Sequence, residues 1–241
     1  MARSCGIRVG PRRFEVVVLD GSPKKHKLVA HVIGELPRAS GDEAADLQEA
    51  AALLRQAVKD ADIPGDSIAI AIDAGVGAFR TLKLPFADKA KVEEVLKFEV
   101  ENLLPHWNID DVVVDFHVVE ESHDSNELLI TAVQKNDVRR PLALCEKAGI
   151  EPLEVELETS AMVNAALQGG LCPVDTAQIL VHVGEYSTCV VVIDGGKVRE
   201  MRAIHIGTLS SELATPVVAE EAAAEGSTPA PPPEVPADPA E

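Results

Sequence analysis

The residues of this 241-residue chain that could do chemistry are mostly carboxylates, with four scattered cysteines and one crowded cluster of arginines. Asp110-Asp111-Asp115 and Glu120-Glu121 bracket a short apolar run. Carboxylates so spaced can bind a cation or share a proton as acid and base, but an acidic turn beside a strand is more often a solvated face. Cys5, Cys145, Cys172 and Cys189 show no CxxC spacing and lie beside apolar or small residues, the pattern of buried, reduced thiols. The seven histidines form no pair at ligand spacing within a helix. Ser4, Cys5, Ser187 and Cys189 have no neighbouring base that would mark a nucleophile, and neither a Walker A loop nor a nucleophile elbow is present. Neither a catalytic residue nor a metal site is therefore expected.

Composition narrows the partners. The formal net charge is −18 with a pI near 4.7, which argues against nucleic acid or an anionic membrane surface as a direct partner. Early positive charge at Arg3 and Arg8 is not followed by an apolar signal region, and no apolar run approaches the ~18 residues of a membrane span. Membrane association is expected only through a partner. Hydrophobic residues make up 46% of the chain, enough for a packed core.

The elements that must position these groups are legible from periodicity. Ile7 to Gly10 and Phe14 to Gly21 read as a hairpin, and Lys27 to Ile33 as a third strand. Residues 42–61 read as a helix with Leu47, Ala50, Ala51, Leu54 and Val58 on one face, and Ser67 to Ile72 as a buried strand. Asp88 can cap a helix bearing Val92, Val95, Leu96, Val100, Leu103 and Leu104, which Pro105 ends and which is expected beside a sheet edge. Strands follow over 112–119 and 127–134, then a helix over 138–148 closed by Gly149, a short strand at 152–157 and a helix over 159–167. From Leu209 the chain turns to Ser, Thr, Pro, Ala and Glu, including Pro229-Ala230-Pro231-Pro232-Pro233, and reads as a disordered or extended tail.

An internal repeat organises these elements. Gly184 and Cys189 to Gly195 match Gly10 and Glu15 to Gly21 at one constant offset, which also places His205 on His31. Such a match predicts a duplicated α/β half, each opening with a hairpin.

Leu84-Pro85-Phe86, Glu93-Glu94, Lys97-Phe98-Glu99, Glu101, Leu104-Pro105 and Val113-Val114-Asp115-Phe116, taken in order over residues 6–207, resemble the signature of the type IV pilus assembly PilM family. That family is related to the cytoplasmic domain of the type II secretion protein GspL. The resemblance implies an α/β, actin-like (ribonuclease H-like) mixed sheet with flanking helices, an inserted α+β subdomain and an incomplete second half. The expected divisions are a first subdomain over 1–84, to which 150–170 returns, and an insertion over 85–149. A second subdomain begins over 171–208, and the tail covers 209–241.

In actin-like ATPases two hairpin turns face each other and hold nucleotide phosphates and magnesium, with acids just before the glycines. Here the family's acid positions carry Arg8 and His182, Pro11 lacks an N–H, and Glu185 would repel a phosphate. Gly10, Arg12, Gly184, Ser187 and Thr188 are thus the residues of degenerate phosphate loops. Arg8, Arg12 and Arg13 could hold an anion, though solvated arginines on a hairpin are the commoner case. ATP and magnesium are disfavoured as cofactors.

The resemblance further implies a groove that receives a PilN-like peptide of an inner-membrane partner, with Phe86, Phe98, Leu103 and Trp107 as its candidate residues. The expected function is a non-catalytic cytoplasmic scaffold of a type IV pilus or type II secretion platform, peripheral to the inner membrane and in contact with the assembly ATPase. The alternatives are a nucleotide-binding actin-like ATPase or sugar-kinase-like enzyme, and an adaptor that acts through its tail.

Overall fold

A computed structural model describes residues 3–22, 24–37, 40–63 and 67–209. The expected tail beyond Leu209, and the turn residues Pro23 and Pro64-Gly65, lie outside the described residues. Three strands open the chain, β1 (Arg3–Val9), β2 (Arg13–Ser22) and β3 (Lys25–Glu35). Helix α1 (Glu43–Asp60) follows, with Asp42 accepting from the backbone N–H groups of Ala44 and Ala45. Then come β4 (Ile68–Ile72), β5 (Gly77–Leu84), α2 (Lys89–Leu103), β6 (Val112–Glu121), β7 (Asn126–Gln134) and α3 (Lys135–Ala148). The described chain closes with β8 (Glu154–Leu157), α4 (Glu158–Gln168), β9 (Gln178–Val183), β10 (Thr188–Asp194) and β11 (Lys197–Ile204).

The first sheet has strand order β3-β2-β1-β4-β8, with β1 antiparallel to β2 and parallel to β4. Cys5, Ile7, Val16 and Val18 point to one face and pack with Ala51 and Leu54 of α1 and with Leu144, Cys145 and Ala148 of α3. Helix α3, expected within the insertion, thus belongs to this core. It begins three residues before the expected start and continues through Pro141, and Gly149 ends it at φ 75°, a left-handed conformation that glycine adopts at little cost.

The second sheet has order β5-β7-β6. Strand β5 carries the mixed run Gly-Ala-Phe-Arg-Thr-Leu-Lys-Leu, which shows no clean alternation and gave no strand signal on its own. Central strand β7 is buried on both sides. Leu128, Ile130 and Ala132 pack under Val92, Leu96 and Val100 of α2, while Leu129 and Val133 join a different cluster. Helix α2 therefore lies across the face of this sheet rather than beside its edge, because its apolar stripe must cover the whole row of alternate β7 side chains.

The third sheet, β11-β10-β9, repeats the opening hairpin in detail. Val9↔Phe14 and Arg8↔Glu15 in the first hairpin correspond to Val183↔Thr188 and His182↔Cys189 in the second. The irregularity between Val18 and Leu19 recurs between Val192 and Ile193. The third strands do not share the offset. Val17 pairs with His31 whereas Val191 pairs with Met201, so the second hairpin is shorter and His205 falls beyond β11 rather than on the His31 position. Cys189, Val191 and Ile193 join Val163 and Ala166 of α4 with Ile72, Phe79 and Leu129, a core shared by all three sheets.

Leu54 is fully buried, so Leu54→Ala should cost about 2–5 kcal/mol in a urea titration. All four cysteines are buried and unpaired, and burial pushes the thiols of Cys5 and Cys145 up to about 11. An unfolded thiol ionises near pH ~8.5, so the stability these groups contribute is complete below that value and is lost as the pH climbs toward 11. Iodoacetamide at pH 8 should label the native chain slowly and the urea-unfolded chain at four sites.

Candidate functional site

The turn between β1 and β2 and the turn between β9 and β10 meet. Each is closed by an equivalent backbone bond, Gly10 N–H to the Arg13 carbonyl at 2.9 Å and Gly184 N–H to the Ser187 carbonyl at 2.8 Å. Between them lies a network of the chain's own charges. The Nε of Arg8 donates to Oε2 of Glu158, the first residue of α4, at 2.6 Å. On the other side of that carboxylate, His182 Nδ1 stands 3.7 Å from Oε1. Arg13 Nε lies 3.3 Å from Glu15 and 3.2 Å from Glu185, spanning the two turns. A Cβ at Gly10 would come within 3.2 Å of Glu185 Oε2, so glycine permits this approach.

Burial opposes the Arg8 charge, but its bond to Glu158 and the fields of Glu158, Glu15 and Glu185 outweigh that and raise its pKa. The expectation of solvated arginines fails for Arg8, whose side chain is 17% exposed and committed to Glu158. The hydroxyl groups of Ser187 and Thr188, expected in a degenerate phosphate loop, are also used internally. Ser187 Oγ donates to Asp73 Oδ1 at 2.7 Å, beside the Gly75 N–H at 2.6 Å, and Thr188 Oγ1 donates to the Ile206 carbonyl at 2.6 Å. Arg12 sits at the first turn, where its carbonyl accepts from Leu36 N–H. Sequence reasoning missed Asp73 and Glu158, since their proximity to the turns depends on where β4 and β8 end in the sheet.

A cleft of about 540 Å³ lies elsewhere, between β6, β8 and α4. Its floor is apolar, including Ile72, Leu129 and Val163, and its rim carries Asp115, Glu156 and Lys197. Strands β6 and β8 are terminal in their sheets, so each turns one backbone edge away from its sheet. The candidate groove residues Phe86, Phe98, Leu103 and Trp107 do not line it. Phe86, Leu103 and Trp107 pack at the margin of the core beneath α2. Phe98 is 69% exposed, because it follows buried Leu96 by two residues and so points about 200° around the helix. Two signals could have located the cleft. Val113, Asp115 and His117 form a mixed apolar and polar face at period two, and Glu154-Val155-Glu156 is a short strand flanked by charge, as edge strands often are. Asp110, Asp111, Glu120 and Glu121 are exposed, and no group of three potential metal ligands occurs among the described residues. No helix among them is long and apolar enough to cross a membrane.

This arrangement defines an actin-like α/β protein, two related hairpin sheets meeting turn to turn, with a further sheet between them in sequence. Residues 6–211 match the family described as type IV pilus assembly protein PilM, and the chain belongs to that family. Among solved structures it is similar to the PilM–PilN type IV pilus biogenesis complex, with TM-score 0.73 and 20% identity over 85% of this chain and 62% of that one. It is also similar to the cytoplasmic domain of EpsL, an inner-membrane component of the type II secretion system of Vibrio cholerae, with TM-score 0.54 and 13% identity over 92% of this chain and 79% of that one. At these identities the likeness shows the fold. The chain spans 62% of the length of the matched chain from the PilM–PilN complex. No curated protein matches.

Arg8→Met should destabilise the fold by about 3–5 kcal/mol, since it leaves Glu158 buried without its partner. The double variant Arg8→Met with Glu158→Gln should lose clearly less than the two single losses added, and a double-mutant cycle in urea measures the difference.

Proposed function

We propose that this chain is a non-catalytic cytoplasmic scaffold in an inner-membrane platform for type IV pilus assembly or type II secretion, and that it takes an extended segment of a membrane partner into the cleft between β6, β8 and α4. The observation that carries this reading is the cleft itself, an apolar floor bounded by two strand edges that can pair with an added strand. Membership of the PilM family supports the platform, and the PilN named in the solved complex is the kind of partner it suggests. Contact with an assembly ATPase belongs to the same proposal. The partner site is assigned to the cleft rather than to Phe86, Phe98, Leu103 and Trp107. The inserted unit is assigned to β5, α2, β6 and β7, residues 77–134, which begins and ends earlier than 85–149.

The residues at the two turns do not fit a magnesium-bound polyphosphate. The positions that would orient the metal are Arg8 and His182, both turned toward Glu158, and Glu185 sets a buried carboxylate between the turns. A triphosphate would have to displace these contacts and face the remaining carboxylates, which opposes binding.

Isothermal titration calorimetry tests both halves of the proposal. The N-terminal cytoplasmic segment of a PilN-type membrane protein from the same source should bind, and ATP with magnesium should give no heat. Asn164→Trp, an exposed α4 position on the cleft, should weaken the segment at least about tenfold by filling the groove, while Phe98→Ala leaves it unchanged. Tight ATP binding, or a segment indifferent to Asn164→Trp and sensitive to Phe98→Ala, would overturn the assignment.

A further inference from the structure

The cleft carries charge as well as shape. Asp115 on β6 and Glu156 on β8 face it from its two strand walls. Neither carboxylate has a basic partner among the described residues. The one bond from Asp115 Oδ1 is accepted from the adjacent Phe116 N–H, and Lys197, also on the rim, pairs with neither. Burial first, then the charges of Glu154 and Asp115, raise the pKa of Glu156, so the ionised pair sits at a cost that an incoming cation would relieve.

We propose that the occupant of the cleft presents a Lys or Arg side chain to Asp115 and Glu156, so that the partner is recognised as an extended segment both apolar and basic. This rests on the reading of the cleft as the partner site. Two considerations favour a basic occupant over a neutral one. Segments of inner-membrane proteins that remain in the cytoplasm carry an excess of Lys and Arg, so a basic residue is at hand in the partner such a platform recruits. The chain itself carries a formal charge of −18, which favours the approach of a basic segment and disfavours an acidic one.

Strand geometry makes the recognition more specific. A strand added to the β6 edge places alternate side chains over the same face as Val113, Asp115 and His117. The basic residue would lie opposite Asp115, within reach of Glu156 on the other wall, and the residue two positions away would lie opposite Val113 over the apolar floor. Arg suits the site better than Lys, because its planar fork can meet two carboxylates at once.

Fluorescence anisotropy with the labelled N-terminal cytoplasmic segment of a PilN-type membrane protein from the same source tests this, using the whole chain and its Asp115→Asn, Glu156→Gln double variant. Replacing the segment's Lys or Arg by Gln should weaken binding at least about tenfold, and the double variant should weaken the native segment by a similar factor. Together the two changes should cost no more than either alone, because each removes the same interaction. Thermal melting of the double variant should match or exceed that of the unaltered chain, since neither carboxylate has a basic partner within the fold and neutralising the pair removes its repulsion. Equal binding of the Gln segment, additive losses, or a native binding segment without Lys or Arg would overturn the basic-residue proposal. If binding in those cases still falls with Asn164→Trp, the cleft assignment stands. Failure of the native segment to bind at all would overturn both.

Discussion

The ion pair between Arg8 and Glu158 fixes how the parts of this molecule meet. Arg8 ends the stretch of β1 paired with β4 and Glu158 begins α4, so one 2.6 Å bond ties the first sheet to the helix that packs on the third. His182 on β9 approaches the same carboxylate, and Arg13 reaches across to Glu185, so both repeated turns are held against one helix start. A carboxylate in the first turn of a helix also gains from the partial positive charge there. Burying such a pair costs desolvation that offsets much of its attraction, so its main effect is to select one arrangement of the two turns over others.

The apolar packing around that clamp falls into separate clusters. The first sheet has a core of its own under α1 and α3. The other two sheets meet in a second core, to which β7 contributes one face, β10 another, and the first sheet Ile72 and Leu157, with Val163 and Ala166 of α4 packed among them. Strand β8 is four residues long and leads directly into α4, the longer β6 carries a strand on its β7 side alone, and apolar side chains between these elements form the floor of the cleft. The same α4 is thus anchored by its first residue at the turns and lines the cleft farther along, through Ser160, Asn164 and Leu167.

The repeated hairpins show how one pattern takes two roles. Their registers agree pair for pair and even their irregularities coincide, yet they bury opposite faces. Cys5 and Ile7 of β1 lie under helices, whereas Ile179 and Val181 at the matching positions of β9 are exposed and the alternate residues of β10 form the core. Strand alternation supplies two faces, and the neighbouring elements decide which one is covered.

Local signals in the sequence were sufficient for most individual elements. Asp42, Asp88 and Gly149 act within a turn of where they stand, and the apolar stripes of α1 and α2 report their own buried faces, so these elements were legible residue by residue. The family signature likewise identified the fold class. Strand β5 was not legible, because its side chains acquire meaning only beside β7, and α3 was placed with the wrong sheet because an amphipathic helix states that it has a buried face but not what it packs on. That Arg8, His182 and Glu185 stand at the two turns could be read from the sequence alone. The pairing of Arg8 and His182 with Glu158 could not, since Arg8 and Glu158 are 150 residues apart and meet only through the ends of β1 and β8. The same holds for the cleft. Composition and motif order determined what kind of protein this is, and the tertiary structure decided where two strand edges and two carboxylates converge, because that depends on which strands end each sheet.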